Sequence, residues 1–331
     1  MKEGKSLQTG KVAVIDTGTN SVRLMVAEYD GITIGKRIKE LHTTRLGEGL
    51  QNTGVLSPAA MERTAEAIRK FTLRAGELGA GQIYCFATNA VRSAQNGAEF
   101  VELTRQLAGI TVDVISGEAE AETAFLGAAG GNGAVIDIGG GSTEVVFGQQ
   151  GKIQYAHSFE IGVVRGMDAL GGAYPGGSER AIAWAAEAIR EAANHSFIHR
   201  SPSITGIGGT PTQMAALLLQ LQSYDPEKVH GYVMDTGTVQ TLVDRLWNTP
   251  LAERKKMPGM DPTRADVIPF GAAIALAFLR AAKIPKLVAS ENDNLEGYLL
   301  WKQPRQQFTD VECNQNHQKR PSESSLSDSQ N

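Results

Sequence analysis

The stretch "VIDIGGGSTEVVFG", Val135–Gly148, carries an apolar run into an aspartate, turns through three glycines and leaves as a second apolar run. A β-hairpin explains it locally, since glycines supply the positive φ that tight antiparallel turns require. A second copy changes its meaning. Near the N-terminus "VAVIDTGTNSVRLMVAEY", Val12–Tyr29, has the same layout: Asp16 stands where Asp137 stands, the turn Thr17–Ser21 where Ile138–Ser142 stands, and Arg23 where Glu144 stands. Two hairpins with their polar residues in register predict a chain of two related halves.

Outward from the hairpins the patterning supports that division. Runs at Val12–Ile15, Val22–Tyr29 and Ile32–Leu41 read as strands. Ser57 as N-cap and Pro58 at the first helical position then start a helix that stops at Gly79. A strand (Ile83–Ala87), a helix (Asn89–Leu107), a strand (Thr111–Ile115) and a helix (Gly117–Ala128) complete a βββαβαβα order. The second half repeats it: strands at Ala134–Ile138, Thr143–Phe147 and Ile153–Phe159, helices over Gly162–His199, a strand at Ser203–Ile207, helices over Thr210–Ala282 and a short strand at Leu287–Ala289. A last helix, Leu295–Trp301, is expected to pack back on the first half. The pattern predicts an α/β protein with mixed sheets flanked by helices. Its domains would be residues 11–128 and 129–294, the first completed by the helix 295–302, followed by a disordered polar tail, 304–331.

Composition narrows the class. At 331 residues and 41% hydrophobic content the chain suits a two-domain globular protein. Its longest apolar stretch, Gly271–Leu279, falls short of the about 18 residues a spanning helix needs. "MKEGKSLQTG" lacks a signal peptide's apolar core, so a cytoplasmic location is expected. The net charge of −4 argues against a general nucleic-acid or membrane binder. Cys85 and Cys313 supply neither a disulfide framework nor a thiolate metal site. His195 and His199, one helical turn apart, are better explained by a helix end than by a metal.

A third glycine turn, "SITGIGGTPTQMAALLL", places Gly206, Gly208 and Gly209 between a strand and a helix that begins near Thr210. Alone it is a packing turn. With the two hairpins it makes three sites where converging N–H groups and a helix N-terminus favour phosphate. Each hairpin also brings an aspartate, and phosphate beside carboxylates needs a cation between them; Mg²⁺ prefers one or two carboxylates plus waters and substrate oxygens. Arg92 opens a predicted helix, where a cation is unfavourable unless something negative lies close. Ser116 caps a helix whose first turns carry Glu118, Glu120 and Glu122. The dipole alone accounts for such acids, but one facing a phosphate cleft would serve to deprotonate a water.

At these residues the chain resembles the exopolyphosphatase and guanosine pentaphosphate phosphohydrolase (Ppx/GppA) family, within the actin, hexokinase and Hsp70 superfamily. The resemblance lies in "VIDTGTNSVRLMV", "LGEGL", "ATNAVRSA", "VISGEAEA", "VIDIGGGSTE", "GIGGTPT" and "RADVIPFGAAI". It implies two actin-like, ribonuclease H-like domains around a central cleft. The family's catalytic base falls on Glu120 and its phosphate-clamping arginine on Arg92. Metal-binding carboxylates fall on Asp137 and Glu144, with Asp16 facing them from the first hairpin. Phosphate contacts fall on Gly18, Asn20, Ser21 and Arg23, on Gly139, Gly140, Gly141, Ser142 and Thr143, and on Gly208 and Gly209. The implied cofactor is Mg²⁺ or another divalent cation and the implied substrate inorganic polyphosphate, with guanosine pentaphosphate as the alternative and a homodimer as a family expectation. A non-catalytic nucleotide-binding regulator and a kinase of the same superfamily are the competing classes. Where family members commonly read "LREG", this chain has Asn294, Leu295, Glu296 and Gly297, which leaves that arginine's job unfilled.

Overall fold

The structure, a computed structural model, describes residues 10–129, 132–150, 152–190 and 201–302. The predicted tail and the pair His195/His199 lie outside the described residues.

Two mixed sheets form the frame. The first contains β1 (Gly10–Thr17), β2 (Ser21–Tyr29), β3 (Ile34–Thr43), β4 (Ala80–Ala87) and β5 (Asp113–Val114) in the order β3-β2-β1-β4-β5. The second contains β6 (Gly133–Ile138), β7 (Thr143–Gln149), β8 (Lys152–Phe159), β9 (Ile204–Ile207), β10 (Val233–Asp235) and β11 (Lys286–Ala289) in the order β10-β11-β9-β6-β7-β8. Apart from β10, the two orders are the same path walked twice, as the repeat predicted of two related halves and the family resemblance implied of actin-like domains. The register preserves it too: Asp16 pairs with Arg23 across β1 and β2, and Asp137 with Glu144 across β6 and β7.

Helices cover the sheets. Pro58–Glu77 starts as expected, with Ser57 Oγ accepting from the Ala60 N–H, and buries Ala60, Met61, Thr64, Ala65, Ile68, Phe71 and Ala75 at helical spacing. Ile268–Ala282, which holds the longest apolar stretch, is buried almost all round in the core of the second half. Among the described residues no helix is long and apolar enough to cross a membrane.

Gly117–Ala128 joins the halves. Ala121, Ala124 and Phe125 pack on Val135, Val146 and Ile207 of the second sheet. Its Gly127 and Thr123 lie so close to Asn294–Lys302 that a Cβ on Gly127 or Gly297 would overlap backbone of the other helix. The last helix packs back on the first half as expected: Leu295, Tyr298 and Leu299 join Val12, Val14, Met25 and Phe86 in one apolar cluster, with Tyr298 stacked on Phe86.

Some elements differ from expectation. The helix read from Asn89 to Leu107 is two, Asn89–Ser93 and Gly97–Ala108. Asn96 breaks it, because its side-chain amide pairs with both the N–H and the carbonyl of Leu56. The helices expected over Thr210–Ala282 are interrupted by β10, whose three residues pair antiparallel with β11. The strand read at Thr111–Ile115 shortens to Asp113–Val114.

Candidate active site

Both hairpin turns are closed by the same bond: Gly18 N–H to Ser21 O and Gly139 N–H to Ser142 O, each at 3.0 Å. In both, the loop carbonyls are taken up by the chain that follows. Asn20 O accepts from the Thr44 and Arg45 N–H groups, and Gly139 O and Gly140 O from those of Val163 and Val164. What remains for a ligand is N–H donation, the chemistry of an anion nest. The turns abut, since a Cβ on Gly140 would lie 2.7 Å from Thr19 Cβ and 3.1 Å from Asn20 N.

The third turn completes the wall. Gly208 has φ 74° and ψ −167°, and a Cβ there would stand 2.7 Å from Asp137 Oδ1, so glycine is required on both counts. Gly209 opens the helix Gly209–Leu218, and Thr210 Oγ1 donates to Ile138 O at 2.9 Å. The cleft so formed, with about 730 Å³ of open space, is lined from both halves by Gly18, Asn20, Ser21, Arg23, Gly139, Gly140, Ser142, Gly208 and Gly209, and by Asp16, Glu120 and Asp137.

Glu120 is the acid of its helix that faces inward. Ser116 caps the helix through the Ala119 N–H, and helical spacing leaves Glu118 exposed while Glu120 is 6% exposed. Burial, with Glu144 nearby, pushes its carboxyl well above the usual range, against the pull of Arg92. Arg92 Nη1 sits 3.1 Å from Glu120 Oε2 and 2.9 Å from Ile115 O. Because the break at Asn96 leaves Arg92 in the last turn of a five-residue helix, the dipole there favours it, and its negative neighbour is Glu120. Arg92 thus stands beside Glu120, just behind the lining.

Some predicted contacts fall elsewhere. Glu144 is buried one layer back, its Oε1 accepting from Ser158 Oγ at 2.5 Å. Thr143 is fully buried and its hydroxyl is committed to Ile161 O at 2.7 Å. Gly141 faces Asn89 and Thr19 across the contact between halves and lines a neighbouring groove. The structure therefore does not bring Thr143 and Gly141 into the cleft lining; their place in the turn is architectural.

Electrostatically the cleft holds more carboxylate than it can neutralise. Arg23 bonds Asp16 and, at 2.7 Å, Asp293. Burial outweighs Arg23 and raises Asp16, whereas at Asp293 burial is outweighed by Arg23 and Lys39, which hold it low. Burial and the neighbouring carboxylates push Asp137 and Glu144 up to about 8. Glu144 Oε2 is buried without a hydrogen-bond partner. Among the described residues no group of three or more His, Cys, Asp or Glu forms a protein-only cage. Mg²⁺ needs none: a carboxylate or two with waters and phosphate oxygens suffices, so this donor set fits it.

Two neighbours had no assigned role in the sequence reading. Arg264, from "RADVIPFGAAI", lines the cleft with its guanidinium against Gly209; Nη2 reaches only Ser21 Oγ, at 3.5 Å, and Nε stands 3.9 Å from Asp261. The signal read at Arg92, a cation in the first turn of a capped helix, has no counterpart at Arg264, which precedes the helix Ile268–Ala282. Asn294 donates to Asp137 Oδ2 at 2.5 Å and accepts from Thr123 Oγ1 at 2.9 Å. Leu295, next in the departed "LREG" segment, is buried among apolar side chains.

Comparison with known proteins identifies the family. The model of the Ppx/GppA phosphatase family matches residues 25–306. The chain is 30% identical to exopolyphosphatase 2 of Mycobacterium tuberculosis, over 88% of this chain and 98% of that protein. It is 32% identical to a bifunctional 3-dehydroquinate synthase/phosphatase of Fusobacterium nucleatum, over 87% of this chain and 46% of that protein. Among solved structures, a Ppx/GppA family member of Aquifex aeolicus aligns with a TM-score of 0.71 and 30% identity, over 88% of this chain and 97% of the other. An exopolyphosphatase of Cytophaga hutchinsonii aligns with a TM-score of 0.79 and 26% identity, over 87% and 96%.

Proposed function

Because the chain belongs to the Ppx/GppA phosphatase family, we propose that it is an exopolyphosphatase that hydrolyses the terminal phosphate of inorganic polyphosphate with a divalent cation. The observation that carries this reading is the convergence of three glycine turns on one cleft that also holds Glu120 and Asp137. The N–H groups of the turns and the guanidinium of Arg264 would grip the phosphates from both halves. Glu120, its pKa raised by burial yet kept ionisable by Arg92, would take the proton of the attacking water; a carboxylate with a raised pKa is the stronger base. Arg23 holds Asp16 in place, and Asn294 holds Asp137. Asp137, with Glu144 behind it, would hold the cation, which when bound neutralises charge developing on the phosphoryl oxygens.

One feature favours guanosine pentaphosphate as the second reading: a mixed hollow against the helix that follows the third turn, lined by Tyr224, Met257 and Met260 with Gln213, Lys256 and Asp261, offers both a face to pack on a base and polar groups to bond its edge. The test is phosphate release by the purified chain with Mg²⁺ from long-chain polyphosphate, guanosine pentaphosphate and ATP, with Glu120→Gln beside it. Release from polyphosphate that collapses in the variant is expected. Tight binding without release from any of the three would overturn the hydrolase reading in favour of a regulatory one.

A further inference from the structure

Outside the cleft the backbone is forced at one informative place. Arg45 has φ 53°, a region disfavoured for any residue with a Cβ. The first phosphate turn imposes it: the N–H groups of Thr44 and Arg45 both donate to Asn20 O, at 3.0 and 2.8 Å, and Gly47 N–H donates to Thr19 O at 2.9 Å. The side chain that emerges crosses to the other half. Arg45 Nη1 meets Asp266 Oδ2 at 2.7 Å, and Nη2 donates to Thr263 O at 3.0 Å. Beside it Thr43 Oγ1 and Thr263 Oγ1 pair at 3.0 Å.

Thr263 and Asp266 bracket Arg264, the guanidinium that lines the cleft. The segment bearing them is stiff within its own half. Arg254, 1% exposed, donates to Ala265 O at 2.7 Å and Thr249 O at 2.9 Å. Gln213 Oε1 accepts from the Asp261 N–H, and Asp261 Oδ1 accepts from the Thr263 N–H. A stiff arm fastened at its tip moves with whatever fastens it.

Resting on the reading of the cleft as a phosphate site, we infer that Arg45 is a positioning residue: it ties the Thr263–Asp266 arm to the first phosphate turn and so seats Arg264 between Ser21 and the third turn, without touching substrate. An ordinary surface ion pair contributes little. This one is two-pronged, is reinforced by a hydroxyl pair and is held in a disfavoured conformation by the turn it serves. Its loss leaves the arrangement of halves that grips phosphate less populated, and apparent affinity falls by that fraction.

The test uses the full chain with Arg45→Ala, Arg45→Lys, Asp266→Ala and the exchanged pair Arg45→Asp/Asp266→Arg. Calorimetric binding of tripolyphosphate, kcat and KM on polyphosphate, and the radius of gyration in solution are measured for each. For Arg45→Ala, Kd and KM are expected to rise about tenfold while kcat stays within about twofold. The ligand-free radius should grow and return to the wild-type value with saturating tripolyphosphate. The lysine variant, which keeps one prong, should fall between, and the exchanged pair should regain most of the affinity. Unchanged affinity and radius would overturn the inference, as would a loss of kcat at constant KM that the exchanged pair fails to restore. If Arg45→Ala does not fold, the lysine variant and the exchanged pair decide by the same readouts. If the wild type hydrolyses nothing, the functional reading fails by itself, while the radius and tripolyphosphate binding still judge Arg45.

Discussion

Glu120 is asked to be charged in a place that disfavours charge, and the two demands predict opposite effects of removing it. Glu120→Gln should lower kcat by about 10²–10⁴-fold if the carboxylate takes the water's proton. The same change deletes a buried carboxylate whose pKa burial has raised, so the melting temperature at pH 8 should hold or rise. Activity and stability falling together would mean that the residue is structural. Gly209 makes a second residue-scale case, because a Cβ there would overlap the Arg264 guanidinium. Gly209→Ala should therefore push Arg264 off its seat and raise KM about tenfold, at a packing cost of about 1–3 kcal/mol, read from steady-state kinetics and a thermal melt. A KM at the wild-type value would remove Arg264 from the phosphate grip. In the sequence, the Ser116 cap and the three acids behind it marked a candidate base, and the family resemblance rather than helical spacing selected Glu120 among them. Arg264 was quoted without a role because its partners, Ser21 and Gly209, are remote in sequence and meet it only through the fold.

At the scale of elements, the hairpins were readable because each is a local pattern repeated in register. The elements that were misread obey longer-range rules. Asn96 interrupts a good helical pattern because Leu56, remote in sequence, offers it two backbone partners. Val233–Asp235 is too short to announce a strand and exists because β11 offers an edge. The junction of Gly117–Ala128 with Asn294–Lys302 shows the same dependence in a form that can be tested. It brings Thr123 Oγ1 to Asn294 and so reaches Asp137, and it closes only because Gly127 and Gly297 lack a Cβ. Gly297→Ala must displace the backbone of Thr123, and over-packing of this kind costs about 1–3 kcal/mol. For a chain this long each kcal/mol lowers the melting temperature by about 1.5 °C, so a drop of a few degrees is expected by calorimetry. Phosphate turnover should fall as well, since the shift passes through Asn294 to Asp137, the carboxylate proposed to hold the cation. A melting temperature within a degree of wild type would show that the helices are free to separate.

Across the whole molecule, folding brings together Asp16, Glu120, Asp137, Glu144 and Asp293 against Arg23, Arg92 and Arg264, and this imbalance sets how stability depends on pH. Asp137 and Glu144 rise from 3.8 and 4.5 to about 8 in the fold. Between those limits the folded chain holds protons that the unfolded chain has released. Stability then falls as pH rises, and it is fully present only below the unfolded values. Asp293, held low, acts in the opposite sense and matters only in acid below its ordinary pKa. Without divalent cations, the melting temperature should decline between about pH 5 and pH 8 as these two carboxyls are forced to ionise. If Asp137 and Glu144 hold the proposed cation, Mg²⁺ competes with those protons for the same oxygens, so it should raise the melting temperature more at pH 8 than at pH 5. Asp137→Asn should make the cation-free profile shallower, leaving the share of Glu144 and Glu120, and diminish the Mg²⁺ increment with it, because Asp137 contributes to both. A profile already flat in the wild type, or an equal Mg²⁺ increment at both pH values, would place the cation elsewhere and leave the raised carboxyls as a cost the fold bears for another reason.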